Sequence, residues 1–270
     1  MNTYSIIVNK LRDFLDKLNF IETRAQNKLS LLTIADEPKL MCTFNYGGYV
    51  WPLPQSNLLL LQLELLTYPS LSGIYNICTS YKNNPDYTRF YNNICETDIV
   101  SPLFEFVMFG RYIDVKNIVL NILEELNFGP KSTYIITSYD VVAKRYGSKE
   151  LTVEKELNIL SDSNVFILEY IPKPVWNVKK IGNTQYLSKI IIDNLEVATF
   201  MEYSTNSNEI IQTFLTIEDG NNAELMYAQF SKERIDEELY KLKTFSFVPC
   251  VGCSFNITNL IKLFKIKNIF

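Results

Sequence analysis

Residues 249–260 read PCVGCSFNITNL, and the interpretation of the whole chain depends on this stretch. It opens on a proline, passes through a Cys-x-x-Cys pair and continues into NITNLIKLFKI, whose apolar residues recur at helical spacing. Three interpretations are open: part of a metal knuckle, an N-glycosylation sequon at Asn256-Ile257-Thr258, or an altered form of another motif. The rest of the sequence has to decide among them.

The composition indicates a globular protein with a sizeable core. Apolar residues make up 47% of the 270 residues and charged residues 21%, so extensive disorder is not expected. The net charge is −4 and there is no basic block, which gives no support for a nucleic-acid-binding surface.

Histidine is absent from the sequence. Its absence excludes Ser-His and Cys-His nucleophile pairs, histidine zinc sites and imidazole acid–base catalysis. Any chemistry has to use carboxylates, Lys, Arg, Tyr, Cys or a bound ion.

The cysteines predict reduced thiols in a cytoplasmic protein. There are five of them, and the chain starts with a helical pattern in place of a signal peptide. The longest apolar stretch, residues 58–66, is too short and interrupted to span a membrane. A metal site at Cys250 and Cys253 needs two more soft ligands, so no metal is expected and the sequon has no role.

Hydrophobic periodicity predicts a single α+β domain over residues 1–270. Helices are predicted in residues 5–20, 56–68, 113–129, 138–147, 152–161, 208–218, 223–230, 232–245 and 256–266. Strands are predicted in residues 40–52, 73–81, 101–110, 164–172, 189–203 and 245–249. A polar excursion over residues 82–98 separates the second and third of these strands.

An ordered series of segments resembles a known family. Residues 23–56 (TRAQNKLSLLTIADEPKLMCTFNYGGYVWPLPQS), ICTSYKNNP, SPLFEFVMFG and the stretch at 249–260 occur in the order found in stand-alone proteins like class II aminoacyl-tRNA synthetases. These are related to asparaginyl, aspartyl and lysyl synthetases and to asparagine synthetase of that type. The resemblance implies a central antiparallel sheet surrounded by helices.

The resemblance also implies a chemistry that needs no histidine. In this family a motif 2 arginine neutralises the α-phosphate of a bent ATP, and a motif 3 arginine holds the γ-phosphate. Carboxylates carry Mg²⁺ between the phosphates, and glycines let the backbone approach the nucleotide.

The segment that resembles motif 2 has lost part of this apparatus. Residues 80–85 read SYKNNP where the family has Ser-Tyr-Arg-Asn-Glu-Pro, so Lys82 replaces the arginine and Asn84 replaces the glutamate. Lysine keeps the charge but lacks the planar fork that grips a phosphate through two bonds. The family's Arg-His pair aligns with Glu96-Thr97.

Two further carboxylate patterns are partly kept. The family's Phe-Glu-Phe-Glu aligns with residues 104–107, where Glu105 is retained and Val107 replaces the second carboxylate. A later Glu…Glu-Arg pattern aligns with Glu196, Glu202 and Tyr203, so its arginine is lost.

The candidate site residues follow from these alignments. Lys82 and Glu105 occupy remnant catalytic positions. Substrate or nucleotide remnants are Gln55, Glu196, Glu202 and Asn259. Either the carboxylates still bind Mg²⁺ or an amine, or they cap polar pockets inherited from an active ancestor. Likewise, Lys82 either contacts a phosphate or is an ordinary surface lysine.

The opening stretch aligns with motif 3, which reads Pro-Arg-x-Gly-Gly-Gly-Ile-Gly-x-Thr-Arg-Leu in the family. Pro249, Gly252, Thr258 and Leu260 match it. The two arginines have become Cys250 and Asn259, and three glycines have become Cys253, Ser254 and Asn256. We expect these three side chains to lie where the family needs bare backbone, and the Cys-x-x-Cys pair to be coincidental.

Two functions remain after this comparison. The first is a non-catalytic pseudoenzyme that serves as a binding, regulatory or structural subunit and needs no cofactor. The alternative is an active, AMP-forming amino-acid ligase that uses ATP and Mg²⁺. Whether the chain is an enzyme stays open, with the lost arginines favouring the first. No anticodon-binding domain is expected, so tRNA is not an expected partner, whereas a partner protein or a larger assembly is.

We predict a homodimer, because the resemblance implies pairing through the motif 1 helix and strand. The N-terminal helical pattern keeps an apolar face at Ile7, Leu11, Phe14 and Leu18, although the motif 1 proline is absent near Ala25. Light scattering at micromolar concentration should give a mass near twice 31.4 kDa. A monomer at all concentrations contradicts this prediction.

Overall fold

The computed structural model describes residues 2–24, 29–34, 37–83, 100–146, 165–172 and 175–269. The α-helices of these ranges are α1 (Thr3–Lys17), α2 (Leu58–Thr67), α3 (Tyr112–Glu125), α4 (Tyr139–Tyr146), α5 (Ser207–Thr216), α6 (Asn221–Phe230), α7 (Lys232–Leu242) and α8 (Ile257–Ile266). The strands are β1 (Ile21–Glu22), β2 (Thr43–Tyr46), β3 (Tyr49–Pro52), β4 (Gly73–Tyr81), β5 (Val100–Phe109), β6 (Ile135–Ser138), β7 (Phe166–Glu169), β8 (Lys180–Ile181), β9 (Thr184–Gln185), β10 (Leu187–Ile192), β11 (Leu195–Glu202) and β12 (Cys250–Asn256).

Eight strands form one sheet in the order β1-β4-β5-β12-β11-β10-β7-β6. The neighbours from β4 to β7 run antiparallel, and the two outer pairs, β1–β4 and β6–β7, run parallel. The predicted α+β class, with an antiparallel central sheet surrounded by helices, is confirmed.

One face of the sheet packs against α1, α3 and α8. Phe104 and Phe106 of β5 and Phe255 of β12 are fully buried there. Because side chains alternate along a strand, every second residue of β5 and β12 belongs to this core. Burial of one phenylalanine side chain stabilises the fold by about 1.5–3 kcal/mol, so this face anchors the sheet.

The other face is only partly covered by helix. Leu61 and Leu65 of α2 pack on Val107 and Cys250, while α5, α6 and α7 form a separate apolar cluster with Trp176. The part of this face that no described helix covers carries the candidate site.

Most predicted elements are confirmed. The first helix buries Ile7, Leu11 and Leu15, and α2 ends at Thr67, before Pro69. The 189–203 segment is a hairpin whose turn residues Asp193 and Asn194 have φ of 46° and 63°, as a two-residue hairpin turn requires.

One predicted strand is wrong, and two predicted segments fall outside the described residues. No strand forms in residues 245–249, because the sheet pairing of this segment starts only at Cys250. The helix predicted at 152–161 and the excursion from residue 84 onward, including Glu96-Thr97, lie outside the described ranges. Within those ranges, no helix combines the length and apolarity needed to cross a membrane.

Candidate functional site

A cavity of about 370 Å³ opens on the face of the sheet that carries α2. We call it the sheet cavity. Its lining in the described part of the chain includes five of the six candidate residues: Gln55, Lys82, Glu105, Glu196 and Asn259. The antiparallel strands therefore bring together side chains that lie far apart in the sequence.

Strand β12 and the start of helix α8 contain residues 250–260 of the stretch that aligns with motif 3. Ser254 and Asn256 line the sheet cavity, and the Asn256 side chain accepts a hydrogen bond from the Asn259 backbone N–H at 3.0 Å. Asn256 thus caps α8. Cys253 points into the opposite core, where it packs with Phe106 and Phe255. The expectation that Cys253 adds a side chain to the nucleotide surface is therefore wrong.

The Cys-x-x-Cys pair is divided between the two faces of the sheet. Cys250 packs in the apolar cluster below α2, and Cys253 packs in the opposite core. Burial raises the pKa of Cys250 to about 12 and that of Cys253 well above its usual value. Side chains on opposite faces cannot ligate one ion, and the described residues contain no cluster of three or more metal-ligating groups.

Glu105 is a fully buried carboxylate under the sheet cavity. It accepts hydrogen bonds from the Ser56 hydroxyl and the Asn57 backbone N–H, both at 2.7 Å, and from the Cys78 thiol at 3.2 Å. Asn57 occupies the N-cap position of α2, where the helix dipole favours a negative charge. Glu105 therefore fastens α2 to the sheet, and burial raises its pKa.

Lys82 pairs with a carboxylate of its own chain. Its ammonium lies 2.6 Å from Glu37. Gln55 holds Glu37 in place: the Gln55 amide donates to the Glu37 carbonyl at 2.9 Å and accepts from the Glu37 N–H at 3.3 Å. No sequence argument selected Glu37, because it lies 45 residues from Lys82 in a segment without a charged motif.

Glu196 forms a second ion pair at the other end of the cavity. Its carboxylate lies 2.6 Å from the Lys189 ammonium and accepts from the Thr199 hydroxyl at 3.0 Å. The Asn259 amide donates to the Glu196 carbonyl at 2.8 Å. Sequence analysis also missed Lys189, because it predicted residues 189–203 only as strand, whereas the structure folds them into the β10–β11 hairpin that brings Lys189 next to Glu196.

Tyr203 packs on Gly252, one of the retained motif 3 positions. A Cβ atom at Gly252 would collide with the Tyr203 hydroxyl, and Tyr203 is itself 1% exposed. In the family that the sequence resembles, the glycine at this position leaves room for a ligand. In this chain Gly252 leaves room for the phenol ring of Tyr203. That ring belongs to the residue that aligns with a family arginine.

Glu202 is the one candidate residue that does not line the described part of the sheet cavity. Successive side chains of β11 point to opposite faces of the sheet, and Thr199 and Met201 line the sheet cavity. Glu202, the residue after Met201, therefore faces away from it. Its carboxylate accepts from the Tyr112 N–H at 2.8 Å and pairs with Lys179 at 2.5 Å. Glu202 therefore takes no part in the candidate site.

The charges of the sheet cavity are almost balanced. Among the described residues that line it are three carboxylates, Glu37, Glu105 and Glu196, and two lysines, Lys82 and Lys189, with no arginine. One negative charge is left over. The described lining therefore offers a triphosphate no excess of positive charge.

Solved structures with a similar fold are asparaginyl-tRNA synthetases. The enzyme from Pyrococcus horikoshii complexed with asparaginyl-adenylate matches 96% of this chain and 63% of its own, with a TM-score of 0.70 and 14% identity. The Entamoeba histolytica enzyme in complex with asparaginyl-adenylate matches 96% and 62%, with a TM-score of 0.65 and 12% identity. The predicted class II synthetase-like fold is confirmed.

The similarity to these synthetases covers only part of their chains. The chain spans less than two thirds of the length of both synthetases. No model of a protein family matches the sequence, and no curated protein matches it either. The TM-scores of 0.70 and 0.65 establish the fold, whereas at 14% and 12% identity activity, substrates and partners require separate arguments.

The burial of Glu105 predicts a pH dependence of stability. Because the pKa is raised in the folded chain, the stabilising contribution is complete below the unfolded pKa and is lost as the pH rises through the folded pKa. Glu105→Gln removes this titration. The unfolding free energy of the native chain minus that of the variant should therefore fall as the pH rises from the unfolded pKa of glutamate through the raised pKa of Glu105.

Urea unfolding at several pH values measures this difference. Glu196→Gln, which removes an exposed carboxylate from the same cavity, is the matched control. A difference for Glu105→Gln that stays constant or increases with pH contradicts the assignment of a raised pKa to Glu105.

Proposed function

We propose that this chain is a non-catalytic descendant of the class II synthetase fold that acts as a binding, regulatory or structural subunit. One observation carries the proposal: among the described residues that line the sheet cavity, each lysine is paired with a carboxylate of the same chain. Lys82 pairs with Glu37 and Lys189 with Glu196, so neither cation is left over for a phosphate.

The energetic argument follows from the chemistry of adenylation. Attack of a carboxylate on the α-phosphate adds negative charge that fixed cations have to stabilise, and each such contact is worth about 3–4 kcal/mol. Loss of several contacts lowers the rate by many orders of magnitude. Lys82 would first have to leave Glu37, and an ammonium does not orient a phosphate as a guanidinium fork does.

ATP and Mg²⁺ fit the described residues poorly. Asn259 is uncharged and bonded to the Glu196 carbonyl, and Val107 is fully buried in an apolar cluster at the position of a family carboxylate. Glu105 is inaccessible and already accepts several hydrogen bonds. We therefore derive no step through a bound nucleotide.

The alternative is an active, AMP-forming amino-acid ligase. The size of the sheet cavity favours it, because about 370 Å³ lies within the range of small-molecule sites. Ion-pair rearrangement on binding would be needed to free Lys82 and Lys189.

A cytoplasmic homodimer is part of the proposal. β1 lies at an edge of the sheet, and Leu18 and Ile21 beside it are 37% and 47% exposed. A second copy that pairs there would cover these side chains and an open strand edge. In the proposed role, the chain acts through a partner protein or a larger assembly.

Pyrophosphate exchange tests the proposal. We expect no ATP–pyrophosphate exchange with any of the twenty amino acids and Mg²⁺, because both lysines of the described lining are already paired with carboxylates and are not available to stabilise the transition state. Exchange with one amino acid that is abolished in both Lys82→Ala and Glu196→Ala contradicts the proposal and supports the ligase. Lys265→Ala, an exposed lysine of α8, is the control.

A further inference from the structure

A second cavity lies beside α2, and its described lining shares no residue with that of the sheet cavity. It has a volume of about 490 Å³, within the range of small-molecule sites. Residues of α2, β4, α7 and the 29–32 segment border it. We call it the leucine cavity, because seven leucines line it together with Phe245; they include Leu59 and Leu63 of α2 and Leu242 of α7.

Two buried asparagines also line the leucine cavity. Asn57 is 1% exposed and Asn76 is 3% exposed, so both lie at its inner end. They are close to each other, because the Asn57 backbone N–H binds the Glu105 carboxylate and Asn76 lies directly opposite Glu105 in the register of β4 and β5. The inner end of a mainly apolar cavity therefore contains two neutral amides.

These amides lack hydrogen-bond partners in the described part of the chain. Neither Oδ1 nor Nδ2 of Asn57 forms a hydrogen bond there, and Oδ1 of Asn76 forms none. Asn57 occupies the N-cap position of α2, but its side chain caps no backbone N–H. A buried polar group without a partner costs the free energy of its desolvation. A ligand that binds these atoms recovers that free energy.

The unpartnered atoms define the chemical group that fits the inner end. Asn57 offers one donor and one acceptor side by side, and a carboxamide presents the complementary pair in one plane. A ligand carboxamide can therefore accept from Nδ2 of Asn57 and donate to its Oδ1. A carboxylate has no donor and an ammonium has no acceptor, and burial of either charge against neutral amides costs more than burial of an amide.

The charged residues of the leucine cavity do not favour an anion. Arg24 and Lys241 are the cations of the described lining. The same lining contains Glu64 and Glu238, and Glu237 pairs with Lys241 at 2.9 Å. These carboxylates leave no excess of positive charge, so the apolar wall and the asparagine amides determine which ligand fits.

We propose that the leucine cavity binds a neutral small molecule that has an apolar body and one carboxamide. The carboxamide pairs with the Asn57 side chain beside Asn76, and the apolar body packs on the leucines of α2 and α7. The inference goes beyond the proposed function and does not depend on it, because the described linings of the two cavities share no residue.

Calorimetric titration with 4-phenylbutanamide tests the proposal. The matched ligand is 5-phenylpentan-2-one, in which a methyl group replaces the amide nitrogen, so that it accepts a hydrogen bond but cannot donate one. We expect one amide to bind per chain. Binding should weaken about tenfold or more in Asn57→Leu, and the native chain should bind the ketone more weakly than the amide by a similar factor.

Gln62→Met is the matched control for the variant. Gln62 also lies on α2 and is buried with an unpartnered amide among the described residues, but it does not belong to the described lining of the leucine cavity. Gln62→Met should therefore bind 4-phenylbutanamide as the native chain does. Equal weakening in Gln62→Met and Asn57→Leu would assign the effect to α2 as a whole and overturn the proposal.

Urea unfolding separates binding from a structural role of Asn57. Because the Asn57 amide has no partner in the described part of the chain, Asn57→Leu should unfold at the same urea concentration as the native chain or at a higher one. A clearly lower concentration would assign this amide to the fold and overturn the proposal. Equal affinity of the native chain for the amide and the ketone, or no saturable binding at millimolar amide, also overturns it. Pyrophosphate exchange reports on the sheet cavity alone, so the two proposals fail separately.

Discussion

The pairing of β12 with β5 and β11 is the constraint on which the rest of the structure depends. Gly252 lies opposite Val107 and Met201 in this register, and Ser254 lies opposite Glu105 and Thr199. Alternation then sends one set of side chains into the core beneath α1, α3 and α8 and leaves the other set under α2 and the sheet cavity. A shift by one residue would exchange the two sets, so core packing also fixes the floor of the candidate site.

The charged side chains of the described cavity lining form ion pairs and hydrogen bonds with other residues of the same chain. Glu37 binds Lys82, Glu196 binds Lys189, and the Glu105 carboxylate is occupied by donors from α2 and β4. Such pairing satisfies groups that an active class II site would leave for substrate. One fold can serve several functions, and the ion pairs of this cavity agree with the non-catalytic role that we propose.

The sequence predicted the fold well because local patterns and an ordered series of motifs agree with the sheet. It predicted five members of the cavity but neither of their partners, since Glu37 and Lys189 become neighbours of Lys82 and Glu196 only through tertiary folding. It assigned Cys253 and Glu202 to the wrong face of the sheet. The face of each side chain depends on the alternation along its strand, and Glu202 directly follows Met201, which lines the cavity.

We propose that the sheet cavity does not bind a nucleoside triphosphate. Equilibrium dialysis with labelled ATP and Mg²⁺ measures this directly, independently of any reaction. The account predicts no saturable binding up to about 1 mM ATP, the upper end of usual substrate affinities. Saturable binding of one ATP per chain that is lost in Lys82→Ala and kept in Lys265→Ala would contradict it.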